Sequence, residues 1–176
     1  MAERALRTCA ILLVFLGAFI VQTTLLPLLD IYGVMPDLLL VLIVLTGFFF
    51  GSKRGGAVGF AVGLIEDLLA GRYLGLTALS GFLTGYAVGY LEGEFYRENP
   101  IVPLFLVFLG SLLFNGVSLI GREILEAFSG ALPSLLWTLP LAALYNTILA
   151  ALLYRPLCRI FLHSEPSPPK FYQRVL

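Results

Sequence analysis

Charge is scarce in this 176-residue chain. Asp, Glu, Lys and Arg together make up 12% of it, about half the share of an ordinary soluble domain. With 59% hydrophobic residues and a mean hydropathy of +0.96, the composition excludes a soluble globular fold and reads as a single membrane domain. Lys plus Arg equals Asp plus Glu at 11 each, so net charge points to no partner. No basic patch with interleaved aromatics suggests nucleic acid. Histidine is nearly absent as well. The one present, His163, falls at the end of the last apolar segment and is out of reach of Ser80 or Ser118 as a base, which argues against an intramembrane serine dyad. The sequence holds no H-E-x-x-H, no paired Cys/His set for zinc and no G-x-x-x-x-G-K-[ST] phosphate loop. A two-aspartate protease would require Asp37 and Asp67 to converge in a water-filled cavity, and nothing local argues for that. The expectation is a protein that is not an enzyme and carries no cofactor or metal.

Cysteine is equally sparse. Cys9 and Cys158 lie near the start of the first apolar segment and the end of the last. Both fall on the cytoplasmic side in the topology derived below, where thiols stay reduced, so no structural disulfide is expected. Arg4 and Arg7 ahead of an apolar run imitate a signal peptide. That run continues through Leu25 and Leu26 without a small-x-small cleavage site, and it reads as an uncleaved first helix.

Glycine, by contrast, is plentiful and ordered. The 18 glycines include Gly47, Gly51, Gly55, Gly59 and Gly63, then Gly81, Gly85, Gly89 and Gly93. Each would weaken a helix in water by about 1 kcal/mol relative to alanine. In a bilayer the same spacing sets a stripe of bare backbone on one helical face, against which another helix packs closely. The stripes read as internal packing within the domain, with a docking face for another protein's helix as the alternative.

Apolar segments long enough to span cover 8–29, 73–91, 99–121 and 132–154. Between the first two, 36–50 and 55–70 read as a hairpin of shorter or tilted helices, with a re-entrant pair as the alternative. Six spans with the N-terminus inside place Arg4, Arg7, Lys53, Arg54, Arg97, Arg155, Arg159, Lys170 and Arg174 in the cytoplasm. Only Arg72 and Arg122 fall outside, as the positive-inside rule requires. Tyr32, Tyr73 and Trp137 then sit at the outer interface, and Tyr90, Tyr96 and Tyr154 at the inner one. The fold class expected is all-α and polytopic: six transmembrane helices over 1–163 with both termini cytoplasmic, and a mobile cytoplasmic tail over 164–176. Arg122 and Glu126 are spaced to pair at i,i+4. Pro133 suits the first turn of the sixth helix, which Pro140 should kink.

Polar residues inside such a domain are the candidate site. A rise of 1.5 Å per residue puts Gln22, Asp37, Asp67 and Asn115 in one outer-leaflet layer, with Arg72 just above. Asn146 falls about 10 Å lower and out of reach of Asn115. Asp37, directly after Pro36, opens the second helix, where a negative charge is favoured. Asp67 continues the stripe of Gly63, whereas Glu66 points about 100° away. Its plain role is a hydrogen bond to a neighbouring helix or a pair with Arg72. A partner contact, or a proton or solute pathway, are the alternatives.

The order of these residues resembles the rod-shape-determining protein MreD family. The motifs that carry the resemblance are Gln22; Pro36-Asp37-Leu38-Leu39-Leu40; Gly51, Gly55 and Gly59-Phe60; the run from Gly63 to Gly71, G-L-I-E-D-L-L-A-G; and Leu74-Gly75 with Leu79-Ser80. They cover roughly residues 15–95, and the rest of the chain agrees in length and hydropathy. The resemblance implies a non-catalytic subunit of the bacterial inner membrane in the lateral-wall elongation machinery. Its implied partners are a single-span MreC-like protein, a RodA-type glycosyltransferase with a class B penicillin-binding protein, and MreB indirectly.

The family is also similar in fold to the substrate-binding S-components of energy-coupling-factor transporters, so small-solute (vitamin) binding is the alternative function. An S-component docks its coupling subunit through small residues on the first helix. Here that stripe reads Ala10, Val14, Ala18, Gln22, interrupted by Val14.

Overall fold

The computed structural model describes residues 2–24, 28, 30, 33–71, 73–91, 101–126 and 137–163, with side chains from 13 to 157 within those ranges. Six helices carry them: α1 Ala2–Thr24, α2 Leu38–Phe50, α3 Ser52–Ala70, α4 Leu76–Leu91, α5 Ile101–Leu125 and α6 Thr138–His163. Tyr32, Arg72, Arg97, Pro133 and the 164–176 tail lie outside the described residues. So do the side chains of Cys9, Cys158 and His163.

The second helix is the axis of the fold. Its sequence, LLLVLIVLTGFFF, is apolar on every side, and a helix hydrophobic all round has to be enclosed. Leu38 through Phe49 are all buried, and α1, α3, α4, α5 and α6 each pack against α2. Its single hydroxyl, Thr46 Oγ1, donates to the Leu42 carbonyl at 2.7 Å, so no polar group is stranded there. At 13 residues α2 is about 20 Å long, short of the ~30 Å hydrocarbon core. By length and composition α5 is apolar enough to cross a membrane by itself.

One residue joins α2 to α3. Gly51, expected on the packing stripe, stands instead in the link with φ +84, and nothing lies within 4 Å of where its Cβ would be. Its role is therefore conformational: the positive φ strains any L side chain and turns the chain back on itself. Its N–H donates to the Gly47 carbonyl and its carbonyl accepts from Gly55, both at 2.9 Å.

Helix ends depart from expectation where caps decide. The sixth helix begins at Thr138, so Pro140 lies in its first turn. A missing N–H forfeits no intrahelical bond there, and the expected kink at Pro140 has no cause. The proline inside the helix is Pro156. Glu126 takes the Tyr73 hydroxyl rather than pairing with Arg122.

Consecutive helices run antiparallel. Gln22 near the end of α1 bonds Leu39 at the start of α2 and Glu66 near the end of α3. Asp37 meets Asn146 of α6, and Tyr73, in the α3–α4 turn, meets Glu126 just past α5. The exposed cations Lys53, Arg54 and Arg155 therefore sit at the end of the bundle opposite Arg122.

Candidate functional site

Helices α2, α3 and α4 meet backbone to backbone along the glycines. A methyl group at Gly63 would fall 2.5 Å from the Thr77 carbonyl oxygen, and one at Gly55 would fall 2.5 Å from both Gly85 O and Gly47 Cα. Gly59 and Gly81 face each other's carbonyls, and Gly89 lies against the Gly51–Ser52 peptide. These approaches exclude any side chain. The stripes of Gly55, Gly59, Gly63, Gly81, Gly85 and Gly89 are thus filled by one another within the chain. Close packing of this kind supplies the dispersion contact that apolar burial cannot provide in lipid.

Above the seam, the polar side chains attend to helix ends sunk within the bundle. The first N–H groups of α2 have no intrahelical partner. Asp37 Oδ1 accepts from Leu40 N–H at 2.9 Å and Gln22 Oε1 from Leu39 N–H at 3.0 Å. The N–H of Asp37 itself donates to Asn146 Oδ1 at 2.7 Å. Gln22 Nε2 then donates to Glu66 Oε1 at 3.4 Å. Asn146 Nδ2 donates to Ser111 Oγ at 3.1 Å, and Asn115 Nδ2 to the Ser111 carbonyl at 2.8 Å. One connected layer joins Gln22, Asp37, Glu66, Ser111, Asn115 and Asn146.

One sequence expectation changes here and one is met. Asn146 belongs to the layer, and it reaches Asn115 through Ser111. It lies eight residues into α6, about 12 Å down, because the helix begins at Thr138 and not near 132. Asp67, beside Glu66, has the plain role expected of it, hydrogen bonds to a neighbouring helix. Its carboxylate lies over the α3–α4 turn and accepts from Gly75 N–H at 2.8 Å and from Thr77 and Ala78 N–H at 3.2 Å each. Gly75, whose carbonyl accepts the first helical bond of α4, has no side chain with which to cap that helix. Asp67 does so from α3, one turn before Gly71 ends α3 in the left-handed conformation at φ +63. The G-L-I-E-D-L-L-A-G run is thus a hairpin device: a stripe glycine, a layer carboxylate, a capping carboxylate and a terminating glycine. Arg72 lies outside the described residues.

Ser111 escaped the sequence reading, and Ser118 entered it only as a serine out of reach of His163, since a serine in an apolar helix carries no positional signal. Ser118 Oγ donates to Ser80 Oγ at 2.9 Å inside the α4–α5 contact. Near the end of α5 a pocket of about 220 Å³ opens, lined by Gly33, Val34 and Met35, by Asn115, Ser118, Leu119 and Arg122 of α5, and by Thr138, Leu139 and Ala142 of α6.

An all-helical membrane protein, with a seam of glycines and a layer of polar side chains turned inward on the bundle, is the class this fold and layer define. Within that class the chain belongs to the family of rod shape-determining protein MreD, whose family model matches residues 3–164. Membership gives it a role in determining rod shape. No curated protein and no solved structure matches it.

Proposed function

We propose that this chain is a non-catalytic scaffold of the rod-type cell-wall elongation complex, a six-span inner-membrane protein that docks the transmembrane helix of an MreC-like partner. The observation that carries the reading is the glycine seam. It fuses α2, α3 and α4 into a unit with no side-chain layer between their backbones, a rigid platform for assembly. Because the glycines are already occupied, a partner helix meets the outer faces, where Phe82 and Tyr86 of α4 and Leu109 and Leu113 of α5 are exposed. Contacts to a RodA-type glycosyltransferase with its class B penicillin-binding protein, and indirectly to MreB, extend the same scaffold.

Depletion in a rod-shaped host is expected to round the cells. Single cysteines at Phe82, Tyr86, Leu109 or Leu113 are expected to crosslink to the partner's transmembrane helix from at least one face. Rods persisting on depletion, with no crosslink from any of these positions, would sink the scaffold reading.

The topology belongs to the same proposal. Nine of the 11 Lys and Arg residues fall on one side when six spans are drawn, which supports cytoplasmic termini. Cytoplasm-dependent fluorescent reporters inserted after Arg54, after Arg97 and at Leu176 should all light up. A dark reporter at Arg54 with one still lit at Arg97 would remove the 36–70 hairpin from the count of spans.

The pocket between α5 and α6 is what favours the alternative, an S-component-like solute-binding subunit. Its volume, about 220 Å³, falls below the roughly 300–1,000 Å³ that encloses a vitamin-sized ligand. The scaffold is therefore the reading we adopt.

A further inference from the structure

The same pocket suits a smaller and different occupant. Part of its lining is apolar, Val34, Met35, Leu119, Leu139 and Ala142, and part is polar, Asn115, Ser118 and Arg122 of α5 with Thr138 of α6. Among the described residues no carboxylate lines it. Arg122 has a carboxylate at i+4, Glu126, but that group accepts the Tyr73 hydroxyl instead. Among the described residues Arg122 makes no ion pair, and it is the one charged residue of the pocket's lining. A guanidinium with five donors in a fixed fork binds phosphate oxygens two at a time. Beside the pocket, Trp137, just ahead of α6, and Leu141, Leu144 and Ile148 of α6 are all exposed at helical spacing, an apolar stripe running from it along the helix.

We propose that this pocket seats the phosphate headgroup of an anionic membrane lipid, with Arg122 as its charge contact and the acyl chains laid along the exposed stripe of α6. The proposal is independent of the scaffold reading, since lipid retention and partner docking are measured separately. The cavity is large enough for a glycerol-phosphate fragment but not for a whole lipid, which fits a headgroup inserted from the bilayer.

The test uses the full chain in detergent, equilibrated with phosphatidylglycerol or with diacylglycerol, retained lipid being counted by native mass spectrometry. Phosphatidylglycerol is expected to be retained and diacylglycerol not. Arg122→Gln should weaken retention about tenfold, the value of one charged bidentate contact, and Arg122→Lys should weaken it less. Arg54→Gln, at the opposite end of the bundle, should leave retention unchanged. Met35→Trp, which fills the pocket from its exposed rim without altering charge, should reduce retention while the protein stays monodisperse. Equal retention by wild type, Arg122→Gln and Met35→Trp would overturn the proposal. Displacement of the lipid by millimolar inorganic phosphate alone would overturn the lipid as occupant and identify a soluble phosphate compound instead.

Discussion

Gly59→Leu and Gly85→Leu are expected to abolish the monodisperse folded protein in detergent or to lower its unfolding temperature sharply. Overpacking a core ordinarily costs about 1–3 kcal/mol, because neighbouring side chains yield. Here the nearest obstructing atoms are backbone, the Gly81 carbonyl against Gly59 and the Gly55 carbonyl and Gly56 nitrogen against Gly85, which do not rotate away, so the cost falls at or above the top of that range. Gly59→Ala should be milder than leucine but still destabilising, since its methyl already meets Gly81. Gly116→Ala is the control. Nothing lies within 4 Å of the position its Cβ would take, and replacing a helical glycine there should be neutral or stabilising by up to about 1 kcal/mol. Unchanged thermal midpoints for both leucine variants would show that the seam opens freely.

Asp67→Leu is the second large effect. It removes the acceptor for three N–H groups of the α3–α4 turn and the first turn of α4, all of them at residues buried or half-buried in the bundle. Each buried donor left unmet costs about 1–3 kcal/mol, and the favourable placement of a negative charge at a helix N-terminus is lost as well. Asp67→Asn keeps one carbonyl oxygen and should retain the bonds to Gly75 and Ala78 while setting its amide against the Thr77 N–H. It should therefore fall between wild type and leucine in thermal stability. A well-folded Asp67→Asn protein that fails to support rod shape would shift Asp67 from capping to a charge-dependent function.

Much of this arrangement is legible before any coordinates. Four-residue glycine spacing announces the seam because only backbone contact makes so many helical glycines worth keeping, and Pro36-Asp37 announces the start of α2 because proline and a capping carboxylate belong at a helix entrance. What escapes is set by helix ends and by tertiary choice. Asn146 is misplaced by depth counting because its helix starts several residues later than the hydropathy does. Glu66 and Asp67 stand side by side, and nothing in their order says which one turns to Gln22 and which to the next helix. Gly51 has the spacing of a packing glycine but the task of a turn. Arg122 and Glu126 have the spacing of an ion pair, which Tyr73, 53 residues away from Glu126 in sequence, pre-empts.

The enclosure of α2 bears on the order in which the chain is assembled. Thirteen apolar residues are too few to hold a stable span alone, and the N-terminal end of α2 relies on acceptors from two other helices. Gln22 is made before it. Asn146 follows Asp37 by 109 residues, so the Asp37 N–H lacks that acceptor until nearly the whole chain has left the ribosome. The helix at the centre of the fold is among the first synthesised and the last to be fully secured. A nascent chain stopped short of α6 holds its central helix with one end still open.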